Sequence, residues 1–395
     1  MSVITDFFAP RSADRRFPSI PAMERAAARR LPRFAHDYMS GGIGREDGLG
    51  RNISDMCRVR FTPRYLQDYE TPSLQTKILG QTYAAPFGPG PIGLSGLMWP
   101  DAPLHIARGA RAHDLPVGLS TYATSSIEAM GAIAGQALWF QLYPTKDLGI
   151  DEDLLKRFRA VGGEVLLITV DIPGPTRRER DLANGLAVPP ARDWRTYLEA
   201  AMHPAWALES LRKGLPEFVN VTRYAPEEKG SLSALEFLGG LSAGHIGAER
   251  LRHYRDIWPG KIVIKGVLSV EDARTAADCG ADGIVVSNHG GRQLDAAPTV
   301  IDVLPHIRQA VGGQMAILAD GGVRYGLDIL RLLSLGADFV LLGRALTSSV
   351  AAMGAEGPPH ALRILKDETQ NMLAQIGCPD MEDLPNYLQN KDILG

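Results

Sequence analysis

The chain has 395 residues, 45% hydrophobic and 22% charged, the balance of a globular α/β protein rather than a disordered or fibrous one. A formal net charge of -3 gives no reason to expect a nucleic-acid partner. The three cysteines, Cys57, Cys279 and Cys378, lie far apart with no CxxC pair, so neither a disulfide framework nor a metal site is expected, which fits a reducing compartment.

Met1 to Phe8 lack a basic stretch followed by an apolar core, so no cleaved secretory signal is expected. Nor does any run of about 18 apolar residues predict a membrane span. The resulting expectation is a cytoplasmic protein. Residues 1 to about 80 read as a helical and irregular lead-in. Short apolar runs then recur, each followed by helical periodicity. The first four are Ala85–Gly88, Pro116–Ser120, Leu138–Leu142 and Val165–Val170. After a gap come Ile262–Lys265, Gly283–Ser287, Ala316–Asp320 and Phe339–Gly343. Continuous apolar strands alternating with helices imply a parallel sheet covered on both faces. Eight such units predict an α/β fold of the (β/α)8 TIM barrel type, in one domain with the barrel over about residues 80–370. A doubly wound sheet would carry GxGxxG after its first strand. Gly88-Pro89-Gly90-Pro91-Ile92-Gly93 is a poor version of it, broken by prolines.

The gap between the fourth and fifth strands predicts a long insertion, about residues 180–247, far beyond an ordinary βα connection. Its middle, Tyr197 to Val219, carries Leu198, Met202, Trp206, Leu208, Leu211, Leu215 and Phe218 among charges, with Pro204 and Pro216 interrupting it. That pattern allows a surface-seeking amphipathic segment, although a lid or subunit contact is the commoner use. Ala225 to Ser231 is polar and is expected to be mobile.

Barrel catalysis gathers at the C-terminal strand ends, and these are polar here. They hold Pro91, Ile92 and Gly93; Ser120 and Tyr122; Gln141 and Tyr143; Thr169 and Asp171, with Arg178 beyond; Lys265; Ser287, His289 and Arg292; Asp320, Gly322 and Arg324; and Gly343 and Arg344. His289 can take a proton near neutral pH. Arg292, three residues on, can hold a carboxylate with two hydrogen bonds. Together they suggest oxidation of a small 2-hydroxy acid. Gly321-Gly322 and Gly343-Arg344 read as a phosphate site, with Arg324 and Arg344 adding charge. Lys265, ending a buried strand, suits a Schiff base or a cation beside an electron-rich ring; the neutral groups Ser120, Gln141 and Thr169 favour the ring. Each feature alone could be merely structural: a turn for the glycines, a salt bridge for Lys265, satisfied core hydroxyls for Tyr38 and Tyr143. Recurrence at successive strand ends argues against all of them together. A non-redox phosphate-binding barrel isomerase is the alternative of another class, and it leaves Arg178, Arg292 and Lys265 unused.

Several motifs point further: Ser287-Asn288-His289-Gly290-Gly291-Arg292-Gln293, Leu31-Pro32-Arg33-Phe34-Ala35-His36-Asp37-Tyr38, Phe140-Gln141-Leu142-Tyr143 and Asp320-Gly321-Gly322-Val323-Arg324. From about Ala22 to Asn390 the chain resembles the FMN-dependent L-2-hydroxy acid oxidases and dehydrogenases. The likeness is strongest to the mandelate dehydrogenase branch, through Gly93-Leu94-Ser95-Gly96-Leu97-Met98-Trp99-Pro100, His203 to Leu208 and Ala374 to Asp380.

The resemblance implies an FMN cofactor, an (S)-2-hydroxy acid substrate that is mandelate-like or lactate, and reoxidation by a quinone, another carrier or oxygen; a peroxide-producing oxidase is the alternative. It implies His289 as the base, Asp171 stabilising its imidazolium, Arg178 and Arg292 clamping the carboxylate, and Tyr38 and Tyr143 completing the catalytic set. Tyr122 would shape the substrate pocket. Pro91, Ile92 and Gly93 would lie against the flavin, with Ser120, Gln141, Thr169, Lys265 and Ser287 around its ring and ribityl chain. Asp320, Gly322, Arg324, Gly343 and Arg344 would hold the ribityl and phosphate groups. It also implies a homotetramer, and peripheral contact with the inner face of the membrane through residues 197–219.

Overall fold

The computed structural model describes residues 12–174, 176–185, 194–225 and 240–389. All eight expected barrel strands form: β3 Phe87–Pro89, β4 Val117–Ser120, β5 Leu138–Leu142, β6 Val165–Thr169, β7 Lys261–Val267, β8 Gly283–Val286, β9 Ala316–Asp320 and β10 Phe339–Leu342. They make one parallel sheet in the order β3-β10-β9-β8-β7-β6-β5-β4, so the first barrel strand pairs with the last and the sheet curls round on itself. At the seam β3 and β4 come close enough that a Cβ on Gly118 would lie 2.5 Å from the Pro91 nitrogen. No ladder joins them among the described residues; Pro89 and Pro91 offer no N–H there.

A helix follows each barrel strand: Ala102–Ala112, Ile127–Ala134, Leu148–Ala160, Ala248–Ile257, Val270–Asp278, Val300–Val311, Gly326–Ser334 and Arg344–Met353. Short polar side chains start several of them. Ser126 accepts from the Ala129 N–H, Asp147 from Gly149, Ser269 from Asp272, and Thr299 forms a reciprocal box with Asp302.

Strand alternation places the site. Inside the barrel, Trp139, Val165, Leu167, Val263, Val285, Leu318, Phe339 and Leu341 form a separate apolar cluster. Two residues further along their strands, on the same face, come Gln141, Thr169, Lys265, Ser287 and Asp320. The top layer of the barrel interior is therefore polar, seated on an apolar plug.

The bottom of the barrel departs from the expected irregular lead-in. Thr76–Ile78 (β1) and Gln81–Tyr83 (β2) form an antiparallel hairpin across Leu79 and Gly80, whose φ values are 50° and 86°. Its Ile78 and Tyr83 join the interior cluster, and Trp139 Nε1 donates to the Tyr83 hydroxyl at 3.2 Å. A Leu-Gly turn lacks the Asn-Gly or Asp-Gly signature of such hairpins, which is why the sequence pattern passes over it.

The long insertion is present between β6 and β7, with helices Glu179–Ala183, Trp194–Met202 and Pro204–Lys213. The polar stretch expected to be mobile lies outside the described residues from Pro226 onward. The amphipathic segment is bolted to the barrel at two places. Trp206 is buried, donates to the Leu97 carbonyl at 3.0 Å and meets Phe34 edge-on at 5.5 Å. Asn220 is buried too; it accepts from the Ile127 N–H at 3.0 Å and donates to the Ser125 carbonyl at 3.1 Å. Tyr197, Leu198, Met202, Leu208, Leu211 and Leu215 stay exposed.

Candidate active site

A cavity of about 350 Å³ opens at the C-terminal end of the strands. Of the residues singled out from sequence, Tyr38, Pro91, Ile92, Gly93, Ser120, Tyr122, Tyr143, Arg178, Lys265, His289, Arg292, Asp320, Gly322, Arg324, Gly343 and Arg344 line it. Gln141, Thr169, Asp171 and Ser287 do not; they stand directly behind the wall. Gln141 donates to the Thr169 hydroxyl at 2.6 Å.

His289 sits just past β8 in the left-handed region, φ 55°, a conformation its neighbours must enforce in a residue other than glycine. Its backbone N–H donates to Ser287 Oγ at 3.0 Å. Its Nδ1 lies 3.1 and 3.2 Å from the two Asp171 oxygens, and its Nε2 lies 3.4 Å from the Tyr143 hydroxyl. With Nδ1–H donating to Asp171, Nε2 is left as the basic nitrogen on the cavity side. Burial by itself would raise the Asp171 pKa. The charge and hydrogen bond of His289, with Lys265 nearby, outweigh it and hold the carboxyl below its ordinary value. Burial also raises the Tyr143 hydroxyl, with the Asp171 charge adding to it, so Tyr143 stays a neutral donor.

Arg178 and Arg292 converge on Tyr38. Their guanidinium carbons lie 5.4 and 5.0 Å from the centre of its ring. Arg292 also donates to the carbonyls of Tyr38 and Gly41 at 2.8 and 2.9 Å, which fixes its fork. Arg178 pairs with Asp181 at 3.3 Å. Two cations and a phenol thus meet at one end of the cavity, a set of donors chemically able to hold a carboxylate.

Lys265 occupies the middle. A buried ammonium costs several kcal/mol unless paired. Here it meets Asp320 at 2.7 Å and Ser287 Oγ at 3.1 Å, and Ser287 donates to the other Asp320 oxygen at 2.5 Å.

The far end has the chemistry to hold an anion. Gly321 and Gly322 have φ of 110° and 82°, and a Cβ on Gly322 would fall 1.9 Å from the Asn52 carbonyl oxygen. Arg344 donates to the carbonyls of Met39, Gly290 and Gly41. Burial, and then the Arg324 charge, lower its pKa to about 10. Arg324 and Arg344 are both partly shielded from water and close enough for their charges to repel; Glu24 already pairs with Arg324, and an anion at the start of the helix Arg344–Met353 would offset the remaining charge.

A model of the FMN-dependent dehydrogenases matches residues 27–390. The chain belongs to that family. The L-lactate dehydrogenase of Caulobacter vibrioides (strain NA1000 / CB15N) is 40% identical over 362 residues, 91% of this chain and 94% of that protein. The L-lactate dehydrogenase of Acinetobacter baumannii (strain AYE) is 38% identical over 360 residues, 91% and 94% of the two chains. Among solved structures, that of the monotopic membrane protein (S)-mandelate dehydrogenase superposes with a TM-score of 0.89 at 37% identity, covering 94% of this chain and 99% of that one. A mandelate oxidase structure gives 0.80 at 33%, covering 94% and 98%.

FMN is the cofactor of this FMN-dependent dehydrogenase, and the donor set fits it. One end offers two guanidiniums beside the glycines of the Gly321-Gly322 turn and Gly343, which leave backbone open to the cavity; the middle offers a buried cation and neutral hydrogen-bonding groups. The family match sets aside the non-redox isomerase alternative.

Several supports escape a reading of the sequence. Asn52 and Asn288 exchange side-chain hydrogen bonds of 2.8 and 2.7 Å, which fix the turn carrying His289. Glu24 accepts from Arg324. Met98, Phe218 and Gln293 also line the cavity. In the sequence Phe218 belongs only to the amphipathic pattern, and Met98 and Gln293 only to longer motifs. Asn52 and Glu24 lie too far along the chain for spacing to find them.

Proposed function

We propose that this FMN-dependent dehydrogenase oxidises an (S)-2-hydroxy acid to the 2-oxo acid. The observation that carries the reading is the juxtaposition of His289, backed by Asp171, with Arg178 and Arg292 flanking Tyr38 in one cavity. Arg178 and Arg292 bind the substrate carboxylate, with the Tyr38 hydroxyl as an added donor. Their grip orients C2 and its hydroxyl toward His289 Nε2 and Tyr143. His289 takes the substrate proton, and the Asp171 carboxylate stabilises the imidazolium so formed. Tyr122 bounds the substrate pocket.

FMN, when bound, would take up the two electrons together with the second of the two hydrogens that the substrate loses, the first leaving as the proton on His289. Pro91, Ile92, Gly93, Ser120, Gln141, Thr169, Lys265 and Ser287 would hold its ring and ribityl chain. Asp320, Gly322, Arg324, Gly343 and Arg344 would hold the ribityl and phosphate end. A cation at Lys265 favours added negative charge on a neighbouring ring.

Purified protein should be yellow and should bleach anaerobically with (S)-mandelate or (S)-lactate. A colourless protein that FMN cannot reconstitute would overturn the reading. Repeating the reaction with oxygen and with a quinone analogue separates dehydrogenase from oxidase; we propose the carrier-linked dehydrogenase.

We further propose peripheral membrane attachment through the insertion. Leu211 is 83% and Leu215 55% exposed, and no described helix is long and apolar enough to cross a membrane. The mandelate dehydrogenase it resembles is a monotopic membrane protein. Leu211→Ser with Leu215→Ser should abolish flotation with vesicles; unchanged flotation would exclude this segment. A homotetramer is the assembly we propose, tested by light scattering.

A further inference from the structure

The carboxylate receptor and the anion end leave open what meets the substrate's side chain. From His289 a train of rings runs along the cavity wall. The Tyr143 hydroxyl lies 3.4 Å from His289 Nε2, the Tyr143 ring is 5.1 Å from that of Tyr122, and Tyr122 meets Phe218 edge-on at 5.6 Å. Met98 lines the same cavity.

We infer that Phe218 is a specificity-determining residue: with Tyr122 and Met98 it closes the side-chain end of the substrate cavity and favours an aryl or bulky apolar group at C2 over a methyl. The inference rests on the hydroxy-acid reading above. Three features support it. Phe218 comes from the insertion, not from a strand end, so it is added to the barrel's own site. It is held in place, because Asn220 two residues on is pinned to Ser125 and Ile127, and Arg157 donates to the Asn220 carbonyl at 3.3 Å. The other bolt, Trp206, donates to Leu97, the neighbour of Met98. Both anchors of the insertion thus end beside a wall of the same apolar subsite. An aromatic wall gains edge or face contact only from a substrate group that reaches it; a methyl leaves those contacts unused.

The test compares holoenzyme with Phe218, Phe218→Leu and Phe218→Ala in anaerobic flavin reduction by (S)-mandelate and (S)-lactate. Binding of the unreactive products, benzoylformate and pyruvate, is read from the flavin spectrum. The expected result is a fall of about ten-fold or more in mandelate efficiency and benzoylformate affinity for Phe218→Ala, with lactate and pyruvate within about two-fold. Phe218→Leu should lie between. If both substrates change by the same factor, or neither changes, the inference is wrong. Flavin content and melting temperature verify the fold, and Phe218→Leu carries the comparison if Phe218→Ala does not fold. Wild-type protein that no 2-hydroxy acid reduces would instead defeat the underlying reading, an outcome distinct from an active enzyme whose selectivity ignores Phe218.

Discussion

Gly266 makes room for Asp171. A Cβ at position 266, where φ is +104°, would lie 2.4 Å from the Asp171 carboxyl carbon. The backbone just past Lys265 thus turns in a way only glycine adopts freely, and the Asp171 carboxylate fills the vacated space beneath His289. Gly266→Ala should push Asp171 off the imidazole. Misplacement by about 1 Å can cost about 100-fold in rate. Stopped-flow flavin reduction should show that loss; a rate within a few-fold of wild type would mean that Asp171 is not held by this contact.

His289 itself needs a substitution that respects its backbone. Asn tolerates positive φ better than Ala, so His289→Asn isolates the loss of the base. Flavin reduction should fall by about 10²–10⁴, while the protein stays yellow because the anion end is untouched. Bleaching at the wild-type rate would remove His289 from the mechanism.

Arg292→Lys tests the receptor. A lysine keeps the charge but cannot donate to the Tyr38 and Gly41 carbonyls while also presenting a two-pronged face. A hydrogen bond to a charged group contributes about 1.5–3 kcal/mol, so substrate affinity should drop roughly 10- to 100-fold. The KM and the Kd of a product such as pyruvate should rise together. An unaltered Kd would place the carboxylate elsewhere.

Gly322→Ala addresses the other end. The left-handed conformation alone costs a residue with a side chain about 1–3 kcal/mol, and the added methyl would overlap the Asn52 carbonyl oxygen. Asn52 in turn holds Asn288, next to His289. The variant should melt lower and elute with little FMN. Full flavin content with an unchanged melting temperature would contradict the packing described at this turn.

The barrel is legible in the sequence because buried parallel strands are apolar throughout, and a run such as Val165–Thr169, short and rich in β-branched residues and leucine, suits little else. The polar layer is legible for the same reason: Lys265 or Asp320 at the end of such a run stands out, and each needs a charged or polar partner, which here includes the other. Contacts that join distant parts of the chain are not. Nothing local to Asn52 announces Asn288, and Gly266 reads as an ordinary strand residue until Asp171 is placed beside it. Phe218 fits an amphipathic pattern equally well whether it faces lipid or the cavity; its contact with Tyr122 puts it on the cavity wall. The β1–β2 hairpin escapes because its Leu-Gly turn is atypical and its strands have three residues each.

Acid should loosen the support beneath Phe218. Glu128 binds Arg157 through two hydrogen bonds of 2.8 and 3.0 Å, and Arg157 also donates to the Asn220 carbonyl. The Arg157 hydrogen bond pulls the Glu128 pKa from 4.5 down to about 2. A carboxyl whose pKa is lower folded than unfolded stabilises the protein fully above its unfolded value, and that contribution fades as pH falls toward the folded value. Glu128 is half exposed, so water screens the pair and its contribution is about 0.5–1 kcal/mol. Urea unfolding of wild type and Glu128→Gln should therefore differ by that amount near pH 6, with the gap closing between 4.5 and about 2. A gap that widens on acidification would mean that Glu128 is not the ionised partner of Arg157.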